Sequence, residues 1–193
     1  DIAIIKFPNS NIQSIVSSLE YLNYKPVIIE TEGKLKNFGN LLIPGVGSFK
    51  SGMKFLKEKN LDLEISNFVK KGDKILLVCL GMQVFLDQSE EFGETKGLSI
   101  ISGNVKKFDN FNTNLGWNEV YSVKNNGIKK HFYFVHSYYF DCFDKKNIIA
   151  TTDYDLIFPS IIGKENIYGV QFHPEKSHKN GLKLIKNFLK LNE

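Results

Sequence analysis

The stretch KILLVCLGMQVF, residues 74–85, decides how the chain is read. Lys74 leads into Ile75, Leu76, Leu77 and Val78, a run with the length and apolarity of a buried strand. Cys79 follows, then Leu80 and Gly81, and from residue 80 the pattern suits a helix. A strand that turns sharply into a helix holds its tip residue at the carboxyl end of a sheet. Small residues beside the tip let the helix pack close, the arrangement of a nucleophile elbow, and Gly81 meets that need. The tip also sits at a helix N-terminus, where backbone N–H groups and the helix dipole favour an anion. Taken alone, Cys79 reads more simply as a small buried hydrophobe.

Working outward, IAIIK (2–6) reads as a strand, and residues 11–23 place Ile12, Ile15, Val16, Leu19 and Leu22 at helical spacing. KPVIIE (25–30) and NLLIPGVG (40–47) read as strands, the second ending in a glycine-rich turn. Helical patterns fit 48–58 and 61–71, with a short helix over 80–89 after the 74–78 strand. Alternating strand and helix argues for a parallel sheet covered on both faces. The second half differs: strand-like runs fall at 104–108, 117–123, 131–139, 147–152, 156–162 and 167–172, with the turn signal NNG at 125–127. A last helix is expected over 178–191, with Leu182, Ile185, Phe188 and Leu189 on one face. No repeat or linker interrupts the chain. The expectation is one α/β domain over 1–193, a mostly parallel sheet flanked by helices with an antiparallel extension in the second half.

The composition narrows the function classes. The 193 residues are enough for one sizeable core, and 42% hydrophobic with 24% charged residues is ordinary for a soluble protein. No apolar run approaches the roughly 20 residues of a membrane span. With no export signal, a cytoplasmic location and reduced Cys79 and Cys142 are expected. The net charge is +4, but the lysines are scattered and there is no arginine, so nucleic-acid binding is not indicated.

A nucleophilic cysteine needs a base, and the base needs an orienting group. The stretch YGVQFHPEKS (168–177) offers both: His173 follows an apolar run, Pro174 ends the strand, and Glu175 lies two residues on. Alternate strand residues share a face, so a His-x-Glu at a strand end can aim both side chains at one region. In isolation the pair also reads as two solvated charges, and as a metal site it is weak for want of further ligands.

Together these residues are far more specific. With PGVGSF (44–49), CLGMQ (79–83), SEE (89–91), GLSIISGNV (97–105), LGWN (115–118), FYFVHSYY (132–139) and GVQFHPEKS (169–177), the chain resembles the class I (triad) glutamine amidotransferases nearly end to end. The resemblance implies a flavodoxin-like α/β fold with Cys79 as nucleophile, His173 as general base and acid, and Glu175 as its orienter. The turn at Gly45, Val46 and Gly47, with the backbone of Leu80, would hold the oxyanion. Gln83 would hold the substrate glutamine, Glu91 would meet its α-amino group, and Ser137 and Tyr138 its carboxylate side. The reaction implied is hydrolysis of L-glutamine through a γ-glutamyl thioester, with no metal or organic cofactor. LGWN and FYFVHSYY narrow the resemblance to the branch that passes ammonia to a HisF-type (β/α)8 cyclase, forming a heterodimer that makes imidazole glycerol phosphate in histidine biosynthesis. Asn11 and Lys176 would lie at that interface.

Three departures bear on this. Leu77 stands where the family has glycine two residues before the nucleophile, and should push the helix away or require a smaller neighbour opposite. KFPNSN (6–11) keeps Asn11 but has Pro8 and Ser10 in place of the family's glycines, and Thr113-Asn114 replaces a Pro-His pair. An altered docking loop would suit a paralogue feeding the amidation of a surface sugar. A spoiled elbow would leave a catalytically impaired docking subunit. A cysteine peptidase-like reading is opposed by HPEKS and Gln83.

Overall fold

The computed structural model describes residues 1–8, 10–109, 113–123 and 129–190. The expected NNG turn at 125–127 lies outside the described residues. The first half gives β1 (Ile2–Ile5), α1 (Gln13–Tyr21), β2 (Pro26–Ile29), β3 (Asn40–Gly45), α2 (Phe49–Glu58), α3 (Leu61–Lys71), β4 (Lys74–Cys79) and α4 (Leu80–Gln83). Then follow β5 (Gln88–Ser89), β6 (Thr95–Lys96), β7 (Gly103–Lys107), β8 (Asn114–Ser122), β9 (Lys129–His136), β10 (Tyr138–Cys142), β11 (Ile148–Tyr154), β12 (Leu156–Lys164), β13 (Ile167–Val170) and α5 (His178–Leu189).

Nine strands form one sheet in the order β2-β1-β3-β4-β13-β12-β11-β8-β9. From β2 to β13 the pairs are parallel; from β13 to β9 they are antiparallel. The inner parallel strands β1, β3 and β4 are apolar beyond the Asn40 and Lys74 that open β3 and β4, because both their faces are covered. Along β1 and β4, alternate residues enter different cores. Ile5, Ile75 and Leu77 join Phe49, Met53 and Leu56 of α2 and Leu61, Ile65 and Phe68 of α3. Ile4, Leu76 and Val78 join Ile15 and Leu19 of α1 and Ile185, Phe188 and Leu189 of α5.

Two expectations are corrected, and a third is settled in favour of one of its two alternatives. The helix after Cys79 ends at Gln83 rather than 89, because the chain turns through Val84–Leu86 into β5. The run 131–139 is two strands broken at Ser137: β9 belongs to the large sheet, while β10 joins a second sheet of order β10-β7-β5-β6. That second sheet packs Val105, Phe140 and Cys142 into the α2/α3 side of the core. Leu77, finally, does not push α4 away. It is wholly buried, and its register partner on β13 is Gly169, the smaller neighbour opposite. Met82 of α4 fills the space over Gly169, where a Cβ would lie 2.3 Å from its sulfur.

Candidate active site

The site lies at the carboxyl ends of β3, β4 and β13, the usual binding edge of an open parallel sheet. Cys79 is the register partner of Gly45 on β3 and the last residue of β4. Its φ of 52° and ψ of −112° are strained for a residue with a side chain, and they turn the chain at once into α4. Only glycine at 81 permits this turn: a Cβ there would lie 1.9 Å from the Ile43 carbonyl oxygen of β3. Close approach of α4 to β3 therefore brings the Leu80 N–H, unpaired within the helix, beside the turn at Gly45–Gly47. In that turn Gly47 takes φ +112° and Val46 is exposed.

His173 and Glu175 meet across a turn rather than along a strand. β13 ends at Val170, and Pro174–Lys176 form a single 3-10 turn. The turn brings His173 Nδ1–H to Glu175 Oε1 at 2.8 Å, with both side chains almost wholly buried. The main chain of His173 is clamped to β9. Its N–H donates to the Tyr133 carbonyl (2.8 Å), and its own carbonyl accepts from Ser177 Oγ (2.6 Å). The Tyr133 N–H donates back to Ser177 Oγ (3.0 Å).

His173 Nε2 is buried without a conventional hydrogen bond, and it faces the Cys79 thiol. Burial alone disfavours the imidazolium, but the thiol in front and the carboxylate behind outweigh it and push the His173 pKa up to about 10. The ring is thus held between the sulfur of Cys79 and the carboxylate of Glu175, placed to carry a proton.

Val46, Gly47, Cys79, Leu80, Gln83, Glu91, Ser137 and Tyr138 line one cavity of about 300 Å³, with Thr113, Val135 and His136. The second sheet supplies a wall, since Tyr138 opens β10 and Glu91 follows β5. Gln83 is buried and donates through Nε2 to the Tyr138 carbonyl (3.0 Å) and Gln171 Oε1 (3.4 Å). Glu91 Oε2 accepts from the Phe49 N–H at the start of α2 (2.6 Å), and burial raises its pKa against that bond. Ser137 Oγ pairs with Thr113 Oγ1 at 2.8 Å. Asn11 and Lys176 lie outside the cavity. Asn11 is exposed and accepts from the Gln13 N–H (3.0 Å) at the start of α1. Lys176 is exposed, with its ammonium 5.9 Å from the centre of the Tyr133 ring. Among the described residues no group of three or more His, Cys, Asp or Glu is placed to hold a metal ion. Nor, among them, is any helix long and apolar enough to cross a membrane.

Sequence reasoning passed over His136 and Gln171. His136 is buried between Asn114 Nδ2 (3.1 Å from Nε2) and the Tyr138 carbonyl (2.8 Å from Nδ1). Burial first, then the His173 charge, lower its pKa to about 4, so it is a neutral ring in the cavity wall. The signal for both was a polar residue inside an apolar run, FVHSYY and GVQF.

Residues 3–191 match the family model of the class-I glutamine amidotransferases. The chain is 43% identical to imidazole glycerol phosphate synthase subunit HisH of Leptospira borgpetersenii, over 98% of this chain and all of that protein. It is 44% identical to the HisH 2 subunit of Methanococcus maripaludis, over 98% of each. Among solved structures it resembles PurLQS from Thermotoga maritima, with a TM-score of 0.81 at 16% identity over 100% of this chain and 98% of the other. At that identity the likeness concerns the fold.

Proposed function

Since the chain belongs to the class-I glutamine amidotransferases, we propose that it is the glutaminase subunit of an imidazole glycerol phosphate synthase, acting in histidine biosynthesis. The observation that carries the chemistry is the approach of His173, backed by Glu175, to a cysteine on a strained elbow beside a cavity. The family match across 3–191 supports reading the chain as one glutamine amidotransferase domain.

L-Glutamine enters the cavity with its carboxamide over Cys79. Its ammonium meets Glu91, whose half-buried carboxylate has one oxygen committed to Phe49; its carboxylate lies toward Ser137 and Tyr138, with Gln83 beneath. The Cys79 thiolate attacks the amide carbon. The oxyanion is held by N–H groups of the Gly45–Gly47 turn and of Leu80, preorganised donors that need no reorganisation as the charge develops. His173 gives its Nε2 proton to the leaving ammonia, and Glu175 holds the ring in the required tautomer. His173 then takes a proton from water, which attacks the γ-glutamyl thioester, and glutamate leaves with the thiolate restored.

Ammonia released to bulk water would be protonated and lost as a nucleophile, so the subunit works docked on its synthase. The partner is a HisF-type (β/α)8 cyclase. Leu115 and Trp117 on β8 are exposed apolar side chains, and the exposed Lys176 and Asn11 supply polar contacts for such an interface. The HisH relatives favour this reading over amidation of a surface sugar.

The test is glutamate release from glutamine by the chain alone and with a HisF-type barrel and its nucleotide ligand. Strong stimulation by the liganded barrel, lost in Cys79→Ala, is expected. Absence of stimulation, with Cys79 still trapped by a glutamine analogue, would overturn the histidine-pathway assignment.

A further inference from the structure

Gln171 follows β13 directly and is wholly buried, in a run otherwise apolar from Val170 to Phe172. Burying a carboxamide is unfavourable unless its polar atoms are bonded, and a methionine would fill much the same space. The bonds that Gln171 makes are specific. Its Nε2 lies 3.6 Å from Cys79 Sγ, within reach of an N–H···S hydrogen bond, and its Oε1 accepts from Gln83 Nε2 at 3.4 Å. Gln83 Nε2 also donates to the Tyr138 carbonyl at 3.0 Å.

This set of contacts fixes which end of each amide points where. A carbonyl oxygen only accepts, so the Tyr138 carbonyl requires the NH2 end of Gln83. That NH2 group meets Gln171, which must answer with its oxygen. The NH2 end of Gln171 is left for the sulfur. A thiolate is a far better acceptor than a thiol, so this donor acts most strongly on the reactive form of the nucleophile.

We propose that Gln171 is a positioning residue for the nucleophile, its side-chain N–H holding the Cys79 sulfur in attacking position while Gln83 sets the direction of that donor. The inference rests on the glutaminase reading. Because Tyr138 belongs to the cavity wall, the same three residues tie the wall that receives glutamine to the sulfur that attacks it.

The test compares Gln171→Met, which keeps bulk without a donor, with Gln171→Glu, which keeps the shape but presents an acceptor to the sulfur. Three quantities are measured: glutaminase kinetics of the complex with its barrel cyclase, the pH profile of Cys79 alkylation by iodoacetamide in the chain alone, and thermal stability. Gln171→Met should lower kcat about tenfold with KM within about twofold, the range of one hydrogen bond to a charged group. Its alkylation profile should move about one pH unit to alkaline. Gln171→Glu should lose more activity than Gln171→Met, with both variants folded. Wild-type kcat and an unmoved alkylation profile in Gln171→Met would overturn the proposal, as would losses that only track melting temperature. Failure of the wild-type chain to hydrolyse glutamine while iodoacetamide still modifies Cys79 would instead overturn the glutaminase reading, since alkylation needs no glutamine.

Discussion

His173 Nδ1 and Glu175 Oε1 lie 2.8 Å apart across one 3-10 turn, and the turn is pinned through His173 and Ser177 to the backbone of Tyr133 on β9. The His173 ring is therefore oriented by a buried carboxylate and by a strand from the antiparallel half of the sheet.

Glu175→Gln keeps the shape of that contact but removes the charge. His173 then loses one of the anions that hold its pKa near 10, so the imidazolium gives up its proton at lower pH. The alkaline limb of the kcat profile should move to lower pH, and kcat should fall about 100-fold, within the range for a misassisted general acid. A pH–rate series on wild type and variant checks both.

His136 gives a linkage of opposite sign. Its folded pKa is depressed to about 4 from 6.5, so between these values the unfolded chain binds the proton that the folded chain refuses. Its contribution is present above pH 6.5 and is lost as pH falls through 4, up to about 3 kcal/mol. Urea unfolding from pH 7 to 4 should show a steeper loss for wild type than for His136→Gln. Equal slopes would mean that the ring is not held neutral.

Leu77→Gly would install the glycine that the family resemblance leads one to expect there. Leu77 is wholly buried opposite Gly169, so the change should leave a cavity and destabilise the protein by about 4 kcal/mol. The position of α4 depends on Gly81 and on Met82 over Gly169, so Cys79 alkylation in the folded variant should stay within about threefold of wild type. Equilibrium unfolding and alkylation rates read the two effects separately.

The backbone strain at Cys79 is measurable by comparing two variants. Both Cys79→Ala and Cys79→Gly remove the sulfur, but only glycine is at ease at φ 52°. Cys79→Gly should be the more stable by about 1 kcal/mol in denaturant titration.

Local pattern carried much of this molecule. The unbroken apolar runs of β1, β3 and β4 announced strands buried on both faces, because a parallel sheet between helix layers needs no polar face. Cys79 between an apolar strand and Gly81 marked an elbow, because only a small residue allows α4 so near β3. His173 and Glu175 stood out as a pair in sequence, though the geometry that joins them is a turn stabilised by Ser177.

Long-range pairing lay beyond local pattern. Two-residue strands such as β5 and β6 have no period to read, and they exist because β7 and β10 hydrogen-bond to them or their neighbours from distant positions in the chain. Ser137 splits one apolar run between two sheets, and nothing local says which side each half joins. The sequence by itself determined the strand–helix order of residues 2–79, the elbow and the His-x-Glu pair, since these follow from spacing and residue chemistry within a few positions. The grouping of Cys79 with that pair rests on the family resemblance. Only the tertiary structure decided that Gly169 makes room beside Leu77, that His136 stays neutral, and that Gln171 turns its N–H toward Cys79. Each depends on a neighbour tens of residues away, and burial is what makes that neighbour matter.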